Sequence, residues 1–290
     1  MNEISLSGRT ALVTGASSGI GAEVARELAC DVSTLVLVAR RRDRLEDLAS
    51  ELTAAHHGLR VIVRDVDLTD LAATGRLLDE LEASGVAIDV LVNNAGFGDR
   101  GLLDERPWSK IESLLALNVV SATFLIHRVL PKMVARGFGA IMNVGSVAGI
   151  VSKPGSAVYG ASKSYLNALS DALSAELRGT GVTVTAVLPG PVPTEFGAMA
   201  MKDDAAPVRA ASAENAGADE RREPRLKLPR AMVVSARECA RQAVLGMKRG
   251  SARVVPGGLV YTMAKIMDNA PRPVLRELLG RSAAKMRRRQ

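Results

Sequence analysis

Residues 10–21 read TALVTGASSGIG: a short apolar run, then Gly15, Gly19 and Gly21 at a turn that opens the segment IGAEVARELA. Glycine at these places permits positive φ, lets backbone approach a pyrophosphate and lets a helix pack closely on the preceding strand. The start of that helix offers unpaired N–H groups to phosphate oxygens. Three glycines alone are a weak sign, because a tight turn also uses them. The apolar run before the turn, and Ile20, Val24 and Leu28 at four-residue spacing after it, make a strand–turn–helix dinucleotide site the better reading.

Outward from this turn, five more apolar runs follow at Leu35–Val38, Val61–Val63, Val90–Val92, Ile141–Val144 and Val182–Val187. They are short, rich in Val and Ile, and do not alternate with polar residues, as expected of strands buried on both faces of a parallel sheet. Helical patterns lie between them, among them Leu166, Leu169, Leu173 and Leu177 on one stripe. Six strands spaced by helices predict an α/β fold with a Rossmann-type doubly wound parallel sheet. The 290 residues, 47% hydrophobic, suit one domain with an ample core, and this balance excludes collagen-like and wholly disordered chains. Within that single domain the composition divides the chain into a core over about 7–196, an insertion over about 197–230 and a helical C-terminal part over about 231–290. The insertion is Ala-rich, charged and poor in branched apolar side chains, which predicts a mobile substrate lid. Ser235 and Glu238 form a capping-box pattern for a helix expected to run to about Lys248 and stop at Gly250.

At the end of the second run, LVLVARRRDR places Arg40, Arg41 and Arg42 where an acid would otherwise take the ribose 2′-hydroxyl of NAD. A guanidinium there pairs with a 2′-phosphate, so Arg40 points to NADP(H). For Arg41 and Arg42 a solvated helix entry is an equal reading.

Tyr159 and Lys163 stand four apart and share one helix face. A Tyr hydroxyl is a poor acid–base group near neutrality, and an adjacent ammonium together with a positive nicotinamide ring is expected to lower its pKa, so that it exchanges a proton with a substrate oxygen as hydride moves. Ser146, after the fifth run, is placed to donate a hydrogen bond to that oxygen.

TGASSGIG at 14–21, NNAG at 93–96, Asn118, Ser146, YGASK at 159–163 and PGPVPT at 189–194 occur in one order. Together they resemble the short-chain dehydrogenase/reductase family in its single-domain form, strongly over about residues 7–196 and weakly beyond. The resemblance implies a catalytic tetrad of Asn118, Ser146, Tyr159 and Lys163. In it Tyr159 is the acid–base group, Ser146 the substrate-oxygen donor, Lys163 a ribose ligand that tunes Tyr159, and Asn118 the holder of a proton-relay water. It implies cofactor contacts from Gly15, Ser17, Ser18, Gly19, Ile20 and Gly21 at the phosphate turn, from Asp67 and Leu68 beside the adenine, and from Asn93, Ala95 and Gly96 along the adenine ribose. Pro189, Gly190, Val192 and Thr194 match the loop that receives the carboxamide, and Tyr159 and Lys163 also face the cofactor. The family implies a homodimer or homotetramer. The stretch RVVPGGLVYTMAKIMDNAPRPVLRELLG at 253–280 is similar, with low specificity, to 3-oxoacyl reductases. The implied activity is NADP(H)-dependent exchange of hydride with the carbonyl or secondary alcohol of a lipophilic substrate, 3-oxoacyl chains included. The alternatives are an NADP-dependent alcohol, steroid or polyol dehydrogenase, and a non-catalytic cofactor-binding sensor, which a broken tetrad would favour.

Other classes find little support. Cys30 and Cys239 match no zinc or redox spacing, and His56, His57 and His127 fall in no ligand pattern, so no metal is expected. With eight aromatic residues, no stacking platform for nucleic acid is apparent. The N-terminus carries no signal-peptide pattern and no uninterrupted apolar run approaches the ~20 residues of a membrane span, which predicts a cytoplasmic protein. The net charge of +7 is uneven: residues 1–196 carry 18 Lys and Arg against 22 Asp and Glu, so the basic excess belongs to the last third. There Leu259, Tyr261, Met263, Ile266, Met267, Leu275, Leu278 and Leu279 lie beside Lys265, Arg272, Arg276, Arg281, Lys285 and Arg287–Arg289. That composition allows weak contact with an anionic membrane, although packing of the apolar residues on the domain's own core is the preferred expectation.

Overall fold

The first strand shows why the apolar runs do not alternate. In the computed structural model, which describes residues 3–151, 153–196 and 232–287, β1 (Thr10–Thr14) buries Ala11 and Val13 on one face and Leu12 on the other. The next strand, β2 (Thr34–Ala39), does the same with Leu35 and Leu37 against Val36 and Val38. With β3 (Arg60–Asp65), β4 (Val90–Asn93), β5 (Gly139–Val144), β6 (Val182–Val187) and β7 (Arg253–Val254) they form one parallel sheet in the order β3-β2-β1-β4-β5-β6-β7. The six expected strands are all present; the seventh is two residues taken from a short apolar piece after the helix at 236–248.

The helices are α1 (Gly19–Ala29), α2 (Arg42–Ala55), α3 (Leu71–Ala83), α4 (Trp108–Leu115), α5 (Ala122–Ala135), α6 (Ala157–Glu176), α7 (Ala236–Lys248), α8 (Gly258–Asn269) and α9 (Arg272–Arg287). One face of the sheet is covered by α1, α2 and α7 through Val24, Leu28, Leu45, Leu52, Val244 and Met247. The other is covered by α3, α5 and α6 through Leu77, Leu81, Leu125, Val129, Met133 and Leu173. Ser235 caps α7 by accepting from the Glu238 N–H at 3.1 Å. The reciprocal half of the capping box is absent, because the Glu238 carboxylate pairs with Arg241 and Gln242 instead.

Between α4 and α5 the chain runs on as one wide turn of π-helix, Ala116–Ser121. The resulting continuous helix, Trp108–Ala135, is long and apolar enough to cross a membrane by length and composition, which the sequence reading did not expect. Its Ile111, Leu114, Leu125, Ile126, Val129 and Met133 are buried, as befits a core helix.

The C-terminal helices depart from expectation. In α8, Val260 and Ala264 are buried, whereas Leu259, Tyr261, Met263 and Ile266 are exposed, as is Val274 of α9. These apolar side chains do not cover the domain's core. One stripe of α8 seats the helix on the fold and the next is left to solvent. Helix α9 returns to the middle of the chain: Arg287 donates to Asp104 at 3.1 Å, and Met286 packs on Gly155, where a Cβ would stand 2.4 Å from its Cε. The expected lid over 197–230 lies outside the described residues, as do the side chains of Arg272, Leu278, Arg281 and Lys285.

Candidate active site

Strand order reverses between β1 and β4, and a cleft of about 380 Å³ opens at the carboxyl ends of the strands there. Thr14, the last residue of β1, stitches its two sides together. Its hydroxyl donates to the Val92 carbonyl at 3.0 Å and accepts from the N–H groups of Asn94 and Ala95, each at 3.0 Å. Asn94 returns the contact, its amide donating to the Thr14 carbonyl at 2.9 Å. A Cβ on Gly15, whose φ is +66°, would stand 2.8 Å from that amide nitrogen, and a Cβ on Gly21 only 2.4 Å from it. Gly15, Ser17, Ser18, Gly19 and Ile20 line the cleft, while Gly21 lies behind the turn and serves its packing. Ser18 is the N-cap of α1 but its side chain makes no capping bond, so the helix start keeps unpaired N–H groups beside the cleft.

The arginines divide. Arg40 is 72% exposed and 3.9 Å from Asp67 across the end of the cleft beside β2 and β3. Arg41 lies on the glycine turn itself, donating to Ser18 Oγ at 2.8 Å and Ser17 Oγ at 3.1 Å. Arg42 turns away to Glu46 and Asp65. Asp67, Leu68, Ala95, Gly96, Pro189, Gly190, Val192 and Thr194 all line the cleft. The Asn93 side chain does not. It is buried, its amide donating to Asn143 Oδ1 at 2.9 Å, and Asn143 donates in turn to Ser170 Oγ at 2.9 Å. This chain of bonds ties β4 and β5 to α6 and so fixes the helix that carries Tyr159 and Lys163.

Those two side chains, with Ser146, meet at the other end of the cleft. Ser146 follows β5; Asn167 holds it from α6 by donating to its carbonyl at 3.2 Å. The Tyr159 phenol is buried, which pushes its pKa up, and a hydrogen bond with Ser146 opposes that rise. The Lys163 ammonium donates to the Val144 carbonyl at 2.7 Å, and burial brings its own pKa down to about 8. Asn118 sits in the π-helical turn, almost fully buried. Its Oδ1 accepts from Phe97 N–H at 3.1 Å, and its amide donates to the Phe97 carbonyl at 3.0 Å and to Ser162 Oγ at 3.2 Å. Its side chain is therefore engaged in the wall behind Gly96. Phe97 and Phe196 close the cleft with apolar surface, the Phe196 ring lying 5.8 Å from that of Tyr159.

A dinucleotide fits these residues. The close approaches at Gly15 and Gly21 bare the backbone of the turn, the start of α1 is uncapped, and Arg41 brings positive charge to the same place. The sequence reading missed Asn94, Arg41 as a turn contact, and both phenylalanines; Asn94 was legible as the second Asn of NNAG.

A family profile described as short chain dehydrogenase matches residues 9–205. An uncharacterized oxidoreductase of Myxococcus xanthus is 38% identical over 191 residues, which cover 66% of this chain and 75% of that protein. The ketoacyl reductase HetN of a Nostoc species is 36% identical over 185 residues, 64% of each chain. Among solved structures, a short-chain dehydrogenase from Sphingobium yanoikuyae in complex with NADPH superposes with a TM-score of 0.73 at 32% identity, over 91% of this chain and 97% of that one. With this match spanning the sheet, the glycine turn and the cleft, the chain belongs to the short-chain dehydrogenase family of oxidoreductases.

Proposed function

We propose that this chain exchanges hydride between NADP(H) and a carbonyl or secondary alcohol carbon of a lipophilic substrate, with 3-oxoacyl chains as the leading class. The observation that carries the reading is the presence in one cleft of Ser146, Tyr159 and Lys163 at one end and Arg40 and Arg41 at the other. The NADPH complex of the Sphingobium relative supports the cofactor, and the ketoacyl reductase relative supports the substrate class. Phe97, Leu117, Val192 and Phe196 give the substrate end its apolar lining. When bound, the nicotinamide supplies or accepts the hydride. The Tyr159 hydroxyl gives its proton to the carbonyl oxygen in reduction and takes it back in oxidation. Ser146 donates a hydrogen bond to the same oxygen. Lys163 would hold the ribose of the cofactor and bring positive charge to the end of the cleft that Tyr159 lines, and Asn118 fixes the wall at Phe97. The core at 7–196 holds the cofactor, and the part from 231 onward, with α9 tied at Asp104, shapes the substrate side. Exposed Trp108 on α4, Val120 on the π-helical turn, Val134 on α5 and Tyr165 on α6 support a homodimer or homotetramer.

The test follows NADPH oxidation with a panel of 3-oxoacyl thioesters, bulky ketones and small polar carbonyls. Turnover greatest on the long 3-oxoacyl substrates is expected. Turnover confined to small polar carbonyls would overturn the substrate class, and none on any carbonyl or alcohol would overturn the catalytic reading.

A further inference from the structure

Glu195 is an acid at the lip of a cleft that is otherwise built to receive anions. It stands between Thr194, whose methyl would be 3.2 Å from a Cβ on Gly19, and Phe196, whose ring faces that of Tyr159. Its carboxylate is held from the opposite side by two arginines. Arg41 Nη1 donates to Oε2 at 2.8 Å, and Arg44 Nη1 donates to Oε1 at 2.6 Å. The other edge of the Arg41 guanidinium is on Ser17 and Ser18. An anion is thus already seated on the guanidinium that touches the phosphate turn. Hydrogen bonds from Arg41 and Arg44 bring the Glu195 carboxyl down to about 2, so it is ionised throughout the neutral range.

We propose that Glu195 is an internal competitor for the adenosine 2′-phosphate: it occupies the anion place at Arg41 and Arg44 in the free protein and yields that place when NADP(H) binds. This rests on the cofactor reading above. A phosphate dianion is the stronger partner for two guanidinium groups, so the exchange favours the nucleotide. A ribose with a free 2′-hydroxyl has no charge with which to displace the carboxylate. Glu195 is joined directly to Phe196, so its release also frees the ring that lies over Tyr159. The 2′-phosphate is read at one end of the cleft and the phenol is uncovered at the other.

The experiment uses the full chain, with adenosine 2′,5′-bisphosphate and adenosine 5′-monophosphate as probes in calorimetry. Glu195→Gln removes the charge and keeps the size; unchanged thermal unfolding controls for folding. The bisphosphate should bind the variant about two- to fivefold more tightly, the size of a released exposed ion pair, with the monophosphate unaffected. Weaker or unchanged bisphosphate binding, or an equal shift for both probes, would overturn the proposal and make Glu195 a strut that orients the arginines. If wild type prefers the bisphosphate and the variant does not strengthen that preference, this proposal alone falls. If neither protein distinguishes the probes, the cofactor reading falls with it. For the link to Tyr159, fluorine NMR of fluorophenylalanine-labelled protein reads the four phenylalanines. The Phe196 signal should move on adding bisphosphate to wild type and be shifted already in Glu195→Gln. A signal that stays fixed in both would break the link.

Discussion

The ammonium of Lys163 donates to the main-chain carbonyl of Val144 at 2.7 Å, at the end of the strand that leads to Ser146. Burial penalises this charge, so the folded chain gives up the proton at about 8 while the unfolded chain holds it to the usual lysine value. Between those two points the unfolded chain carries more protons, and stability therefore rises with pH through the window. Measured against Lys163→Met in urea titrations, the wild type should gain ground as pH increases above about 8. A difference between the two that is flat with pH would show that Lys163 keeps the ordinary lysine value in the folded protein.

Tyr159→Phe removes the one hydroxyl that Ser146 engages and leaves the ring against Phe196. Carbonyl reduction should fall by at least about 10²–10⁴-fold, with NADPH binding by fluorescence titration almost unchanged. Because burial raises the phenol above its ordinary value, reduction should be level through neutral pH, and alcohol oxidation should climb toward alkaline pH. Retained turnover in the variant would remove Tyr159 from its assigned role.

Cofactor preference separates the arginines. Arg41 is clamped to Ser17 and Ser18, whereas Arg40 is mostly in solvent. Arg41→Ala should weaken NADPH about tenfold and leave NADH little changed, the effect of one charge-assisted contact. Arg40→Ala should have the smaller effect, within the roughly 0.2–1 kcal/mol of an exposed pair. The reverse ranking would return the 2′-phosphate to Arg40.

The exposed stripe of α8 places Leu259, Met263 and Ile266 beside Lys265, with Arg276 exposed on α9. The full chain should sediment with anionic liposomes at low salt and detach at high salt, where its few basic contacts are screened. Ile266→Glu should reduce that binding. If anionic and neutral liposomes behave alike, the stripe is no membrane surface.

What the sequence revealed was governed by burial. Strands such as Leu35–Val38 are legible because both their faces are covered, and the glycine turn because Gly15 and Gly21 have no room for a Cβ. Strand β7 is too short to show a pattern, and its place comes from hydrogen bonds such as Ala186 N–H to the Ala252 carbonyl. The order of motifs singles out Asn118 but not the π-turn on which it sits, since such a turn depends on contacts with Phe97 and Ser162. Long side chains hid their direction: Arg40 and Arg41 are neighbours in the chain, yet only Arg41 reaches the turn. The outward stripe of α8 was misread because an amphipathic sequence does not say which of its faces meets the core.

The order of strands has a kinetic meaning. Strand β1 is central, and one of its two edges is closed only by β4, with the Thr10 N–H reaching the Asp89 carboxylate 79 positions along the chain. During synthesis, residues 10–14 must wait beside β2 with a row of unpaired amides until residues 90–93 leave the ribosome. Parallel pairing makes that delay unavoidable, because each partner strand arrives only after a full crossover. A nascent chain paused before β4 therefore exposes a Leu- and Val-rich edge, and a slow codon stretch or a truncation in that interval should yield aggregates rather than a stable half-sheet.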